Sequence, residues 1–368
     1  MIGFGVLWNR DRASTWSHTP LSLLHGLEAT GPVADLGFDD ALRRWAYLLA
    51  HLRIRDGRLT TTWQSSQRVM AAAAKSIQQQ ADVQAVDAIV TVGDLGTFDR
   101  PTYIVMDLSY DLLEREIEQG NEQAAAQFNR LSEQVRRENR QRQYSIFDEA
   151  AGLLTMSQWC ATSLVEDTGL PESKVHVVHP GANAAPTSVR DVESRVPSAL
   201  FVGRDFHRKG GELTLRAVER MRADGVELGL TIMGPDDWPL DEPCPTWVDF
   251  RGPQPLEAVG AAMADHTVFV LPTRFEAFGI VFAEALLAGT PAVGPARFAV
   301  PEIVRDGVDG ATFDDWTVDE VADAIGRAIA PDVRRGAVAG VDAARERWTW
   351  TRAADEVRAI VSADLSSR

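Results

Sequence analysis

Only two of the 368 residues are cysteine, Cys160 and Cys244. They form neither a disulfide framework nor a set with metal-ligand spacing, which excludes a stapled scaffold and a zinc ribbon and leads us to expect a reducing, cytoplasmic setting. No uninterrupted apolar run approaches the roughly 20 residues of a membrane-spanning helix. The opening MIGFGVLWNRDR carries no basic leader ahead of its apolar stretch and reads as a strand, not as a signal peptide. Basic charge is also short. With 37 Lys and Arg against 53 Asp and Glu, the formal charge is −16, so neither nucleic acid nor an anionic bilayer is an expected partner. Arg136, Arg137, Arg140 and Arg142 do cluster, but Glu133 and Glu138 are interleaved, which predicts a solvated charged helix face. No period of 20 to 50 residues recurs, which excludes a solenoid.

What remains is a chain that is 45% hydrophobic and 24% charged, long enough for two ordinary globular domains. In the first half, apolar runs at 2–8, 33–37, 88–92, 103–106, 152–156 and 175–178 read as strands. Helical spacing covers 21–27, 40–52 and 67–80, and one or two charged helices span 112–144 with a break at Gly120-Asn121. An Ala/Pro/Ser-rich run over 182–188 continuing to 197 reads as a linker. The second half alternates plainly: strands at 199–202, 228–233, 247–250 and 268–271 with helices at 211–224, 256–264 and 318–330, then an amphipathic helix over 348–365. Such alternation is that of α/β doubly wound sheets. The expected division is 1–188, 189–347 and a final helix 348–368.

One stretch stands out. From Phe278 to Val293 the sequence FGIVFAEALLAGTPAV holds a single charged side chain, Glu284. A helix apolar nearly all round belongs in a core, and a lone carboxylate there needs a partner. Gly289 and Pro291 supply the stop. Glu276 precedes the helix, and Gly279 falls at its N-terminus, where free N–H groups and the positive end of the dipole face outward. An anion site flanked by two carboxylates fits a ligand bearing both phosphate and hydroxyl groups. Taken singly, Glu276 as a helix cap and Glu284 paired to an internal arginine are equally good readings; together they favour a ligand.

The spacing of Glu276 and Glu284, read EAFGIVFAE, followed by ALLAGTPAV, resembles the signature of the retaining family-4 glycosyltransferases of the GT-B fold. LFVGR from Leu200 to Arg204, followed by Lys209-Gly210, is similar to that family's strand–GR–x4–KG element, and PEIVRDGVDG from Pro301 to Gly310 is similar to a third block. The resemblance runs from about residue 197 onward and is faint before residue 152. It implies two Rossmann-like domains facing across a cleft, with the last helix crossing back to the first. It also implies a nucleoside-diphosphate sugar as substrate, an acceptor hydroxyl as partner, and neither cofactor nor metal.

By the same resemblance, Arg204 and Lys209 would meet the charge that grows on the departing diphosphate. Gly203, Phe278, Gly279, Ile280 and Val281 would offer main-chain contacts to the donor, Glu284 would bind the ribose hydroxyls, and Glu276 would lie beside the transferred sugar. The base would sit near Phe250-Arg251-Gly252, which makes Arg251 a donor-side candidate. Arg208 is read as solvated. Members of the family carry a glycine-rich loop after the first strand; here no glycine occurs between Trp8 and Gly26. Arg10, Ser14 and His18, with Arg12 and Thr15, are the acceptor-side candidates, the alternative being an ordinary capped loop. Where the family carries a histidine, Asp107 or Asp111 takes the place, with Asp111 also a candidate helix cap. A phosphorylase or epimerase on the same fold, or a non-catalytic partner subunit, are the other classes left open.

Overall fold

A computed structural model of the chain describes residues 1–39, 52–55, 58–61, 66–128, 131–184, 189 and 196–368. The helix expected over 40–52 falls on residues outside these, apart from residue 52, as does most of the expected linker. Two compact units are present: Met1–Pro180 together with Trp350–Arg368, and Gly181–Thr349.

In the first unit, strands β1 (Ile2–Gly5), β2 (Val33–Asp35), β5 (Ala88–Val92), β6 (Thr102–Met106), β7 (Gly152–Thr155) and β8 (Val175–Val177) form one sheet in the order β2-β1-β5-β6-β7-β8. Strands β3 (Leu52–Arg55) and β4 (Arg58–Thr61) make a separate antiparallel pair. All pairings in the six-stranded sheet are parallel; Phe4 lies opposite Val90 and Val105 opposite Leu154. The strands are apolar without alternation because helices cover both faces, and β1, β5, β6 and β7 are buried throughout.

Helices α1 (Thr19–Thr30), α2 (Gln67–Gln84), α3 (Tyr110–Glu118), α4 (Glu122–Phe128), α5 (Glu133–Glu149) and α6 (Gln158–Glu166) connect them. The charged region expected as one or two helices is three. Gly120, at φ +84°, ends the first as a left-handed stop that only glycine adopts freely. The arginines of α5 are not a uniformly solvated face. Arg137 pairs with Glu133 in the solvent, but Arg140 reaches Asp111 (2.6 Å) and Glu114, and Arg142 reaches Asp94 (3.1 Å). Their partners lie far away in sequence, beyond what helical spacing can reveal.

The last helix of the chain belongs to this first unit. Its Trp350 carbonyl comes so near Gly26 of α1 that a Cβ there would stand 2.6 Å from the oxygen. Arg358 donates to the Leu27 carbonyl (2.6 Å) and to the Thr30 hydroxyl (2.9 Å), capping the C-terminus of α1.

In the second unit, β9 (Val196–Val202), β10 (Gly229–Met233), β11 (Val248–Gly252), β12 (His266–Val270), β13 (Ala292–Pro295) and β14 (Gly310–Phe313) form a parallel sheet ordered β11-β10-β9-β12-β13-β14. This is the doubly wound order 3-2-1-4-5-6. Leu200 lies opposite Phe269, and Val293 opposite Ala311. Between the strands run α7 (Gly211–Ala223), α8 (Leu256–Asp265), α9 (Ile280–Leu287), α10 (Val300–Ile303) and α11 (Val318–Ala328), with α12 (Pro331–Ala339) and α13 (Val341–Arg347) at the end.

His266 is buried and fully satisfied: its Nδ1–H donates to the Ala262 carbonyl (2.7 Å), so Nε2 accepts from the Thr231 hydroxyl (2.8 Å). Burial holds its pKa below the ordinary value, so it is neutral. The PEIVRDGVDG block turns out to be architectural. The Asp309 carboxylate accepts from the Arg305 N–H and pairs with its guanidinium (both 2.7 Å), while Asp306 accepts from the Thr312 N–H (2.7 Å). Gly310 lies so close to β13 that a Cβ would stand 2.1 Å from the Ala292 carbonyl oxygen. Among the described residues no helix is long and apolar enough to cross a membrane.

Candidate functional site

In the second sheet β9 and β12 are neighbours, and the chain leaves them towards opposite sides of the sheet. Ligands of open α/β sheets bind outside the carboxyl ends of the strands at such a switch point. Two loops meet there: residues 203–210 after β9 and residues 271–279 after β12.

Two features lock these loops together, and a third braces the second of them. Gly210 has φ +77° and starts α7; a Cβ on it would stand 2.2 Å from the Pro272 carbonyl oxygen, so the two backbones touch only because the residue is glycine. The Arg208 carbonyl accepts from the Arg274 N–H (3.0 Å), and its guanidinium donates to the Phe275 carbonyl (3.0 Å) while pairing with Asp205 (3.1 Å). Arg208 is therefore not a solvated neighbour of Lys209 but the tie between the loops. Trp316 donates its indole N–H to the Thr273 carbonyl (3.1 Å), and the Thr273 hydroxyl donates to the Phe275 carbonyl (3.0 Å). Neither Arg208 nor Trp316 carries a periodic or spacing signal in the sequence.

Within this frame Lys209 and Glu276 form an ion pair. The lysine stem packs over Gly203, where a Cβ would lie 3.1 Å from its Cγ. The side chains are 17% and 13% exposed respectively, which sets the pair apart from solvent-exposed bridges of little worth. Arg204 is exposed on the same loop and has no partner among the described residues. Gly234, after β10, closes the floor: it has φ +123°, and a Cβ would stand 2.6 Å from the Gly203 carbonyl.

Gly279 has φ +90° and caps α9, with a Cβ position only 2.8 Å from the Phe282 ring and 3.2 Å from Glu276 Cγ. The N–H groups of Gly279, Ile280 and Val281 have no earlier helical turn to bond, and Ile280 and Val281 are half-buried beside the Lys209–Glu276 pair's loop. Phe278 is buried, its ring 6.0 Å from that of Trp348. Glu284 lies one turn further along α9, buried, its Oε1 accepting from the N–H groups of Asn183 (3.0 Å) and Ala184 (2.9 Å). The partner is thus backbone and not an arginine. Burial outweighs those two hydrogen bonds and pushes the Glu284 pKa up to about 6. At the end of β11, Arg251 pairs with Asp249 (2.7 Å) and is largely exposed, while Phe250 meets Trp238 edge-on at 5.8 Å.

In the first unit, Asp107 follows β6 directly and is half-buried. Asp111 is not a cap: Ser109 caps α3, accepting from the Leu112 N–H (3.1 Å). The buried Asp111 carboxylate instead binds Arg140 (2.6 Å), the Tyr144 hydroxyl (2.7 Å) and the Thr168 hydroxyl (2.6 Å), which commits it to structure. After β1, Arg10 is exposed, the Ser14 hydroxyl donates to the Asp11 carbonyl (2.7 Å), and His18 stands at the start of α1 with φ +75°. Arg12 pairs with Asp35 (2.7 Å) and Thr15 accepts from the Asn9 N–H (2.9 Å), so these two hold the loop.

Comparison with known proteins points the same way. Residues 196–330 match the family described as glycosyl transferases group 1. The D-inositol 3-phosphate glycosyltransferase of Mycobacteroides abscessus is 29% identical over 212 residues, 52% of this chain and 46% of that protein. The chain spans about half the length of the curated relatives it matches. Among solved structures, sucrose-phosphate synthase from Thermosynechococcus elongatus superposes with a TM-score of 0.71 at 16% identity, over 100% of both chains. Anabaena HepE in complex with UDP and glucose gives 0.66 at 14% identity, over 98% of this chain and 99% of that one. At such identities the likeness establishes the fold alone. Residues 196–330 thus resemble the group 1 glycosyl transferases, in a chain that carries the GT-B fold.

Proposed function

We propose that the chain is a retaining glycosyltransferase that moves a sugar from a nucleoside-diphosphate sugar to an acceptor hydroxyl without a metal ion. The observation that carries this reading is the Lys209–Glu276 pair at the switch point, between a glycine-started helix and an uncommitted Arg204. The ammonium and the carboxylate neutralise each other. A donor offers each a better partner: the diphosphate takes Lys209, and a sugar hydroxyl takes Glu276. Arg204, with a planar fork suited to phosphate oxygens, and the first-turn N–H groups of α9 supply the remaining positive field.

As the bond between the anomeric carbon and the diphosphate oxygen breaks, negative charge grows on the phosphate and positive charge on the sugar ring. Fixed cations stabilise the first and Glu276 the second. The acceptor oxygen bonds to the same face, and its proton passes to the departing phosphate oxygen, so no protein base is required. Glu284 accepts from the ribose hydroxyls, which is the reason for keeping a buried carboxylate whose ionisation is unfavourable. A neighbour of the same fold was solved in complex with UDP and glucose, which supports a nucleotide-sugar as the donor.

The test is the product. With a donor of α configuration, proton NMR of the new linkage is expected to show the α anomer, in EDTA as well as in magnesium. A β product would refute retention, and activity only in magnesium would refute metal independence.

A further inference from the structure

The first sheet has its own switch point, between β1 and β5, and there the backbone is strained. Trp16, Ser17 and His18 have φ of +42°, +52° and +75°. The left-handed region is disfavoured for every residue with a Cβ, and three in succession persist only where their surroundings hold them. The loop that leads into them is itself fixed. Asp11 accepts from the Ala13 N–H on its carboxylate (3.1 Å) and from the Ser14 N–H on its carbonyl (3.0 Å), and the Asn9 side chain donates to the Ser14 carbonyl (3.1 Å).

The outcome is an indole that is 44% exposed yet set against backbone. Gly93, directly after β5 with φ +80°, lies against the six-membered ring, with its Cβ position 3.8 Å from Trp16 Cζ2. Asp94 is next. Arg142 grips both its carbonyl (2.7 Å) and its carboxylate (3.1 Å), Gln143 also bonds the carboxylate, and the side chain remains 21% exposed. Gln143 is itself fixed by the Tyr110 N–H (3.0 Å).

A partly exposed indole set against Gly93, whose chain neighbour Asp94 carries a tethered and partly exposed carboxylate, offers the chemistry that recognises a sugar ring. The apolar C–H face stacks on the indole, and ring hydroxyls donate to the carboxylate. We propose that Trp16 and Asp94 form a subsite for a pyranose ring of the acceptor. The acceptor is then a glycoside or glycan and not an aliphatic alcohol or a protein side chain. This inference rests on the transferase reading above and narrows its acceptor class.

The experiment uses the full chain with the nucleotide-sugar that stabilises it. Methyl α- and β-glycosides of glucose, galactose, mannose and N-acetylglucosamine are offered as acceptors, with glycerol as the ring-free control and products read by mass spectrometry. At least one glycoside is expected to accept sugar. Trp16→Ala raises its KM by roughly tenfold and Asp94→Asn raises it also, while donor hydrolysis and nucleotide-induced stabilisation stay at wild-type levels. Trp16→Phe, which keeps a stacking ring, recovers most of the affinity. An acceptor KM within about twofold of wild type in Trp16→Ala overturns the proposal, as does glycerol serving as well as the glycosides. Nucleotide stabilisation and donor hydrolysis without transfer to any glycoside sink the subsite alone. Absence of both sinks the donor reading and the subsite with it.

Discussion

Replacing Glu284 by glutamine gives a stability change whose sign differs from that of most buried substitutions. The Glu284 carboxyl is raised from 4.5 to about 6 because burial disfavours its charged form. Between those values the folded chain binds more protons than the unfolded one, so stability is greatest below about pH 4.5 and falls as pH rises through about 6. The difference corresponds to about 2 kcal/mol. Glutamine keeps the oxygen that accepts from Asn183 and Ala184, and its amide places a donor where the protonated acid also carries one. Glu284→Gln is therefore expected to be more stable than wild type by about 2 kcal/mol at pH 8, a rise in Tm of roughly 4–8 °C for a unit of this size. The gap should close by pH 4. Urea or thermal unfolding of both proteins from pH 4 to 8 measures it. A glutamine variant no more stable than wild type at pH 8, or a gap that does not change with pH, would refute the electrostatic account of this residue. Nucleotide binding should move the opposite way, weakening in the variant because the amide is a poorer acceptor for ribose hydroxyls.

Other consequences follow from the same geometry. A double-mutant cycle of Lys209→Ala and Glu276→Ala should give a coupling energy of about 1–3 kcal/mol in unfolding experiments, above the exposed-pair range; additive singles would mean the pair is not formed in solution. Gly279→Ala forces a Cβ into the left-handed region and against Phe282 and Glu276. It should cost about 1–2 kcal/mol of stability and most of the turnover, so a variant with wild-type Tm and rate contradicts the helix-start geometry. Arg208→Ala frees the two site loops from each other and should weaken nucleotide affinity by roughly tenfold, read by calorimetry. An unchanged Kd would show that the tie is dispensable.

The second unit was largely legible because its signals are local. The strand at β9 with its Gly-Arg turn, and the apolar helix α9 with its glycine start and stop, follow from residues adjacent in sequence. Strands β13 and β14 and helices α10, α12 and α13 were not anticipated, since such short segments owe their form to contacts such as Gly310 against β13. Long-range partners were the other gap. That Arg208 holds Phe275, that Arg140 and Arg142 hold Asp111 and Asp94, and that backbone amides meet Glu284 are facts of the fold. The missing glycines after β1 were visible; that Trp16 to His18 adopt glycine-like torsions in their absence was not.

The donor site is tested most directly by thermal unfolding of the wild type and of the Arg204→Ala/Lys209→Ala double variant with UDP, GDP and ADP, each in EDTA and in magnesium. One nucleotide is expected to stabilise the wild type equally in both, by about 2.7 kcal/mol at a hundredfold excess over Kd, and to leave the double variant unmoved. A shift that survives in the double variant, or no shift with any of the three, would contradict the assignment of these cations to a diphosphate.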